Sequence, residues 1–173
     1  MNTRVPVLII SGSMGCGKTT VLWEASDLLT EARVMHAAID LDCLAVIYPP
    51  QGRYGEGLMF ANLAAVWPIY AAAGAQRLLV ARVVEDRSEL QEYSKAVPGA
   101  EIVVYRLTAS LERMQERLRV REPGMFQAQA ITRSAELAEI LEWAQAEDFT
   151  VDNNGQRSVT EVAREVFSRS GWL

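Results

Sequence analysis

Val5-Pro-Val-Leu-Ile-Ile10, then Ser11, then Gly12-Ser-Met-Gly-Cys-Gly17-Lys18-Thr19 is the stretch that decides the fold. The apolar run is short and uniform, which predicts a parallel strand covered on both faces. The segment after it matches G-x-x-x-x-G-K-[ST] in full. Average composition would produce that pattern in fewer than roughly one chain in a hundred of this length. A helix is predicted from about 18 to 31, so the motif stands between a strand and a helix, where its chemistry needs it.

Each residue of the motif has a physical reason. Glycines accept positive φ and let backbone wrap a phosphate without Cβ clashes. Successive N–H groups form an anion nest, reinforced by the positive end of the following helix. Lys18 would reach the β- and γ-phosphates, and the Thr19 hydroxyl would ligate Mg²⁺. The sequence thus predicts a site for ATP with Mg²⁺ made of Gly12, Ser13, Met14, Gly15, Cys16, Gly17, Lys18, Thr19 and Thr20. Cys16 takes part through its backbone, not its sulfur.

Outward from the loop, strand and helix patterns alternate. Further strands are predicted at 34–39, 78–84, 102–107 and 149–151. Helices are predicted at about 58–73, 87–96, 110–120, 128–146 and 159–168, with Pro68 expected to kink or break the first of these. The fold class is therefore α/β: three layers, a five-stranded parallel sheet, helices on both faces and right-handed crossovers. Ligands in such folds sit at the carboxyl ends of the strands.

The chain has 173 residues, 50 % apolar and 23 % charged, which fits a single domain over 1–173. No apolar run approaches the ~20 residues of a membrane helix. The apolar stretch near the N-terminus runs straight into a glycine loop, so no signal peptide is expected and the expected compartment is cytoplasmic. Cys16 and Cys43 lack metal-ligand spacing and read as free thiols. The net charge of −5 argues against broad nucleic-acid binding. One window runs against the acidic trend: Arg113 to Arg121 holds four arginines and one glutamate. A guanine-reading Asn-Lys-x-Asp is absent, and Asp152-Asn-Asn-Gly155 reads as a turn. Motor ATPases need a longer chain.

With these motifs in this order, the chain resembles the small-molecule kinases of the nucleoside monophosphate kinase type, especially the shikimate and gluconate kinase branch. The resemblance spans nearly the whole chain, and only the phosphate loop is highly specific. It implies that Asp40 supports Mg²⁺ and that Asp42 holds or deprotonates the acceptor hydroxyl. Taken alone, the acidic pair also fits a strand-end turn or a helix cap. The resemblance implies that Arg117 stacks on adenine, Arg121 swings onto the transferring phosphates and Arg133 contacts phosphate. Taken alone, these arginines also fit solvated helices paired with Glu112 and Glu116. It further implies an acceptor-binding segment at about 40–74, containing Arg53, Tyr54, Glu56 and Asn62, and a lid at about 121–128. Asn153 or Gln156 would lie on the adenine side.

The third strand departs from the family pattern, because it ends without the usual acidic residue. The metal's outer shell then rests on Asp40, or on Glu85 or Asp86 if the strand ends later. Arg82 reads either as an acceptor anchor, favouring an anionic substrate, or as a structural salt-bridge partner. His36 reads as structural, and Trp67 and Trp143 as cover for core or cleft. The expectation is an ATP-dependent phosphotransferase acting on a hydroxyl or phosphate of a small molecule, monomeric or homodimeric. The alternatives are a nucleotide-binding regulatory module and an antibiotic-modifying kinase.

Overall fold

The computed structural model describes residues 4–49, 55–121 and 124–172. Five strands form one parallel sheet: β1 (Val5–Ser11), β2 (His36–Asp40), β3 (Arg77–Ala81), β4 (Ala100–Thr108) and β5 (Phe149–Asp152), in the order β2-β3-β1-β4-β5. The central strand β1 pairs with β3 from Val7 to Ile10 and with β4 from Val5 to Ser11. Six helices accompany them: α1 (Lys18–Glu31), α2 (Glu56–Ala72), α3 (Leu90–Ala96), α4 (Leu111–Arg121), α5 (Phe126–Ala144) and α6 (Val159–Ser170).

The period-two alternation of β1 divides the core. Leu8 and Ile10 pack with Val21, Leu22 and Leu29 of α1 and Val162, Val166 and Phe167 of α6. Val7 and Ile9 pack on the opposite face with Met59, Leu63 and Trp67 of α2 and Tyr93 of α3. A strand buried on both faces must be apolar at every position, which is why β1 reads as an unbroken run.

Three expectations change. Strand β3 stops at Ala81, whose pairs are Ile10 of β1 and Asp40, the last residue of β2. Beyond it the Arg82 N–H bonds the Ile10 carbonyl, and the Val84 N–H bonds the Ser11 hydroxyl at 3.0 Å. Strand β2 starts at His36, two residues late, because Arg33 (φ 55°) and Val34 close the end of α1, with Val34 N–H bonding the Leu29 carbonyl. Helix α2 runs unbroken through Pro68. A proline there costs about 3 kcal/mol. Burial of Met59, Leu63 and Trp67 offsets it, at about 1.5–3 kcal/mol each. Trp67 covers the core as expected, whereas Trp143 is 90 % exposed and covers nothing. His36 is structural, its ring nitrogens 2.8 Å from the Ser26 hydroxyl and the Val34 carbonyl.

Helix α6 is fixed at its start by a reciprocal cap: Ser158 accepts from the Glu161 N–H while Glu161 accepts from the Ser158 N–H. Ser158→Ala should lower the unfolding free energy by about 1 kcal/mol in chemical denaturation. The hydrogen bonds from Ser158 hold the Glu161 carboxyl below its ordinary value of 4.5. Its contribution is therefore complete above that value and lost as pH falls through the depressed one. Glu161→Gln should flatten that part of the acid-stability curve.

Candidate active site

The turn from Gly12 to Gly17 is held from outside, carbonyl by carbonyl. Lys18 Nζ bonds the carbonyls of Gly12 (2.9 Å) and Ser13 (3.1 Å). The Ser134 hydroxyl, on α5, donates to the Met14 carbonyl at 2.7 Å. From α4, Arg117 Nη1 reaches the carbonyls of Gly15 (3.2 Å) and Cys16 (3.1 Å), and Asn153 Nδ2, just after β5, reaches that of Cys16 at 2.8 Å. A trans peptide sets its N–H opposite its C=O. Tying the carbonyls of Met14 and Cys16 outward therefore turns the amides of Gly15 and Gly17 toward the concave side, while the Cys16 N–H closes the turn on the Ser13 carbonyl at 3.3 Å.

Two glycines are required by what surrounds them. Gly15 has φ 83°, and a Cβ there would lie 2.5 Å from the Met114 carbonyl oxygen of α4. Gly17 has φ 104°, and its Cβ would lie 2.6 Å from Asn153 Nδ2. Gly17 is also the N-cap of α1, with no side-chain cap bond. The first-turn amides of α1 have no intrahelical partner, and they are joined at this point by the positive end of the helix. Backbone donors, a helix N-terminus and an ammonium group converge on one concavity, which is the chemistry of a polyphosphate site.

Beside this loop lie the two acids at the end of β2. Asp40 precedes a short 3-10 helix (Leu41–Ala45) but makes no side-chain cap bond. Its carboxylate instead accepts from the Thr19 hydroxyl at 2.7 Å. Asp42, half exposed, forms an ion pair with Arg82, whose side chain is 11 % exposed. Burial pulls the Arg82 guanidinium down, but the charge and hydrogen bond of Asp42, helped by Tyr93 and Glu89, outweigh it and hold it above its ordinary value. Burial raises the carboxyl of Glu89.

No protein-family model and no curated protein matches the sequence. Solved structures match over nearly its full length. A gluconokinase from Sinorhizobium meliloti 1021 superposes with a TM-score of 0.64 at 17 % identity, covering 98 % of this chain and 94 % of its own. A shikimate kinase from Bacteroides thetaiotaomicron gives 0.62 at 13 % identity, covering 95 % and 97 %. The Mycobacterium tuberculosis APS kinase, in complex with AMPPNP and APS, gives 0.61 at 17 % identity, covering 95 % and 96 %. The chain has the P-loop kinase fold.

Within the P-loop kinase fold, the residues singled out in the sequence fall into separate groups. Gly15, Gly17, Thr20, Arg117 and Arg121 line one cavity of about 280 Å³. Thr19 and Asp40 stand together, and Asp42 and Arg82 form the next pair along the same edge. Arg133 lies on the other side of the loop, lining a cavity of about 210 Å³ with Met14 and Phe126. It also pairs with Glu85 at 2.7 Å. Glu85 is thus engaged by Arg133, and Asp86 caps the start of a second 3-10 turn, which leaves Asp40 as the acid beside Thr19. Asn62 holds the Leu44 carbonyl, a structural contact. Arg53 and Tyr54 lie outside the described residues. Arg113 pairs with Glu116 and Arg119 reaches Gln115, so both stay on the helix surface.

Arg117 does more than the expected stacking role requires, because its guanidinium edge is committed to the loop and to the Asn153 carbonyl. Sequence reasoning missed Ser134, Tyr93 and Glu89. The available signal for Ser134 was its place on the apolar stripe Ala130, Leu137 and Leu141 of α5. Among the described residues no helix is long and apolar enough to cross a membrane, and no cluster of three or more His, Cys, Asp or Glu side chains is placed to hold a metal.

Arg117→Ala frees the Gly15 carbonyl, leaves that of Cys16 to Asn153 alone, and should weaken Mg-ATP binding by about tenfold in calorimetric titration. Unchanged affinity would remove Arg117 from the support of the loop.

Proposed function

We propose that the chain transfers the γ-phosphoryl group of ATP to a hydroxyl or phosphate oxygen of a small molecule. The observation that carries this reading is adjacency: the phosphate cradle and the Thr19–Asp40 pair lie at the same sheet edge as a second acid, Asp42, tied to Arg82.

The residues present fit Mg²⁺. Thr19 and Asp40 offer two hard oxygen donors, and this ion is commonly held by one or two protein groups, with substrate phosphates and waters completing the shell. That explains why a larger ligand cluster is not needed. Bound there, Mg²⁺ would offset charge on the β- and γ-oxygens. Lys18, now occupied by loop carbonyls, would transfer its hydrogen bonds to those phosphates. Arg121, and Arg133 from the other side, would add guanidinium forks, which match phosphate oxygens. Segment 121–128, of which 122 and 123 lie outside the described residues, would serve as the lid in this reading, excluding water that would otherwise hydrolyse the nucleotide.

Asp42 orients the acceptor oxygen. Phosphoryl transfer passes through a loose transition state, so positioning outweighs proton removal. The Arg82 pair favours an acceptor bearing an anionic group. Such a group would take over Arg82 and leave the Asp42 carboxylate to the nucleophilic oxygen, so that binding and activation coincide.

Pooled hydroxyl and phosphorylated metabolites, incubated with Mg-ATP, should include one pool that stimulates ADP release, and Lys18→Ala should abolish that stimulation. Tight Mg-ATP binding without stimulated release across broad pools would overturn the reading in favour of a nucleotide-binding regulatory module. Asp42→Asn should retain Mg-ATP affinity and lose turnover by about 100-fold or more; unchanged turnover removes Asp42 from the reaction.

A further inference from the structure

We propose that Ser134 is a positioning residue for nucleotide binding, acting through a buried cross-link between α5 and the phosphate loop. This rests on the loop's reading as the nucleotide site, not on the identity of the acceptor.

Ser134 lies mid-helix and is fully buried, on the same stripe as Ala130, Leu137 and Leu141. Packing alone would place an apolar residue there, since a buried hydroxyl contributes only if it is bonded. Here it is bonded. Its hydroxyl donates to the Met14 carbonyl at 2.7 Å. Its carbonyl accepts from the Ser13 hydroxyl at 2.6 Å, using the lone pair that the helix leaves over. The two hydroxyls lie 3.4 Å apart. Ser13 is itself 4 % exposed. The contacts join residues 121 and 120 positions apart, and they are reciprocal, so the loop cannot roll about its axis without breaking both.

The consequence falls on a specific donor. The Met14 carbonyl and the Gly15 N–H belong to one planar peptide, so fixing the oxygen on α5 aims the N–H into the cradle. A hydrogen bond accepted at the oxygen also polarises that N–H toward an anion. Ser134 is thus a rear support that presets an amide it never touches. Arg133, the preceding residue, reaches Glu85 just past β3, so the same turn of α5 fastens the loop and the end of the sheet.

The test measures Mg-ATP and Mg-ADP affinity by calorimetry, well below the unfolding temperature, alongside ligand-free thermal unfolding. Ser134→Ala should weaken binding by about tenfold. Ser134→Thr, which keeps the hydroxyl, should restore most of it. Ser13→Ala, which removes the other bond of the cross-link and leaves the Ser134 hydroxyl on the Met14 carbonyl, should show a similar loss. Wild-type affinity in Ser134→Ala and Ser13→Ala, even with a lowered unfolding temperature, would make the contact purely structural and overturn the proposal. Absence of Mg-nucleotide binding by the unmutated chain would sink the nucleotide site itself, and the proposal with it.

Discussion

A polyphosphate is bound by amides only if the carbonyls of the same peptides are held elsewhere, and that constraint organises this molecule. From Met14 to Cys16 the loop carbonyls are each held from outside the loop, one by Ser134 and two by Arg117, with Asn153 sharing the last, while Lys18, from the loop's own end, holds those of Gly12 and Ser13. The donors come from α1, α4, α5 and the turn after β5, so four separate parts of the chain converge on five residues. Strand β1 places the loop at the centre of the sheet by pairing on both sides, and the two cores fix that strand. The fold is, in this sense, a mount for one turn of backbone.

The acceptor side is organised differently, through charge. Asp40 is committed to Thr19 and Asp42 to Arg82, while Glu85 is committed to Arg133. Each acid beside the loop thus has a partner within the site, as expected where charges are partly desolvated and an unpaired one is costly. Ligands would bind by exchanging these partners, which links recognition to activation. The short β3 contributes to this arrangement. Ending at Ala81, it delivers Arg82 beside Asp42 at the end of β2.

Local features were legible in the sequence and remote ones were not. The phosphate loop could be read because its requirements are satisfied by consecutive residues: glycines for left-handed backbone, Lys18 and Thr19 for the ligand. Strand β1 could be read because burial on both faces leaves it no polar position before Ser11. The limits of β2 and β3 could not, since they depend on how far neighbouring strands extend and on the turn that closes α1. Pro68 misled because packing of Trp67 outweighs a local penalty. Asp42 and Arg82 are 40 residues apart and Ser13 and Ser134 are 121 apart; both contacts exist only after folding, and a lone serine in a helix gives little sign of its partner. Trp143 carries no pattern that separates an exposed tryptophan from a buried one.

The central claim is that outward-tied carbonyls leave a set of inward amides ready for phosphate, and backbone amide NMR tests it directly. On addition of Mg-ADP, the amide resonances of Gly15 to Thr19 should shift strongly and their hydrogen exchange should slow, while those of α2 and α3 change little. Unperturbed loop amides at saturating Mg-ADP, or perturbation confined to residues away from the loop, would contradict the account.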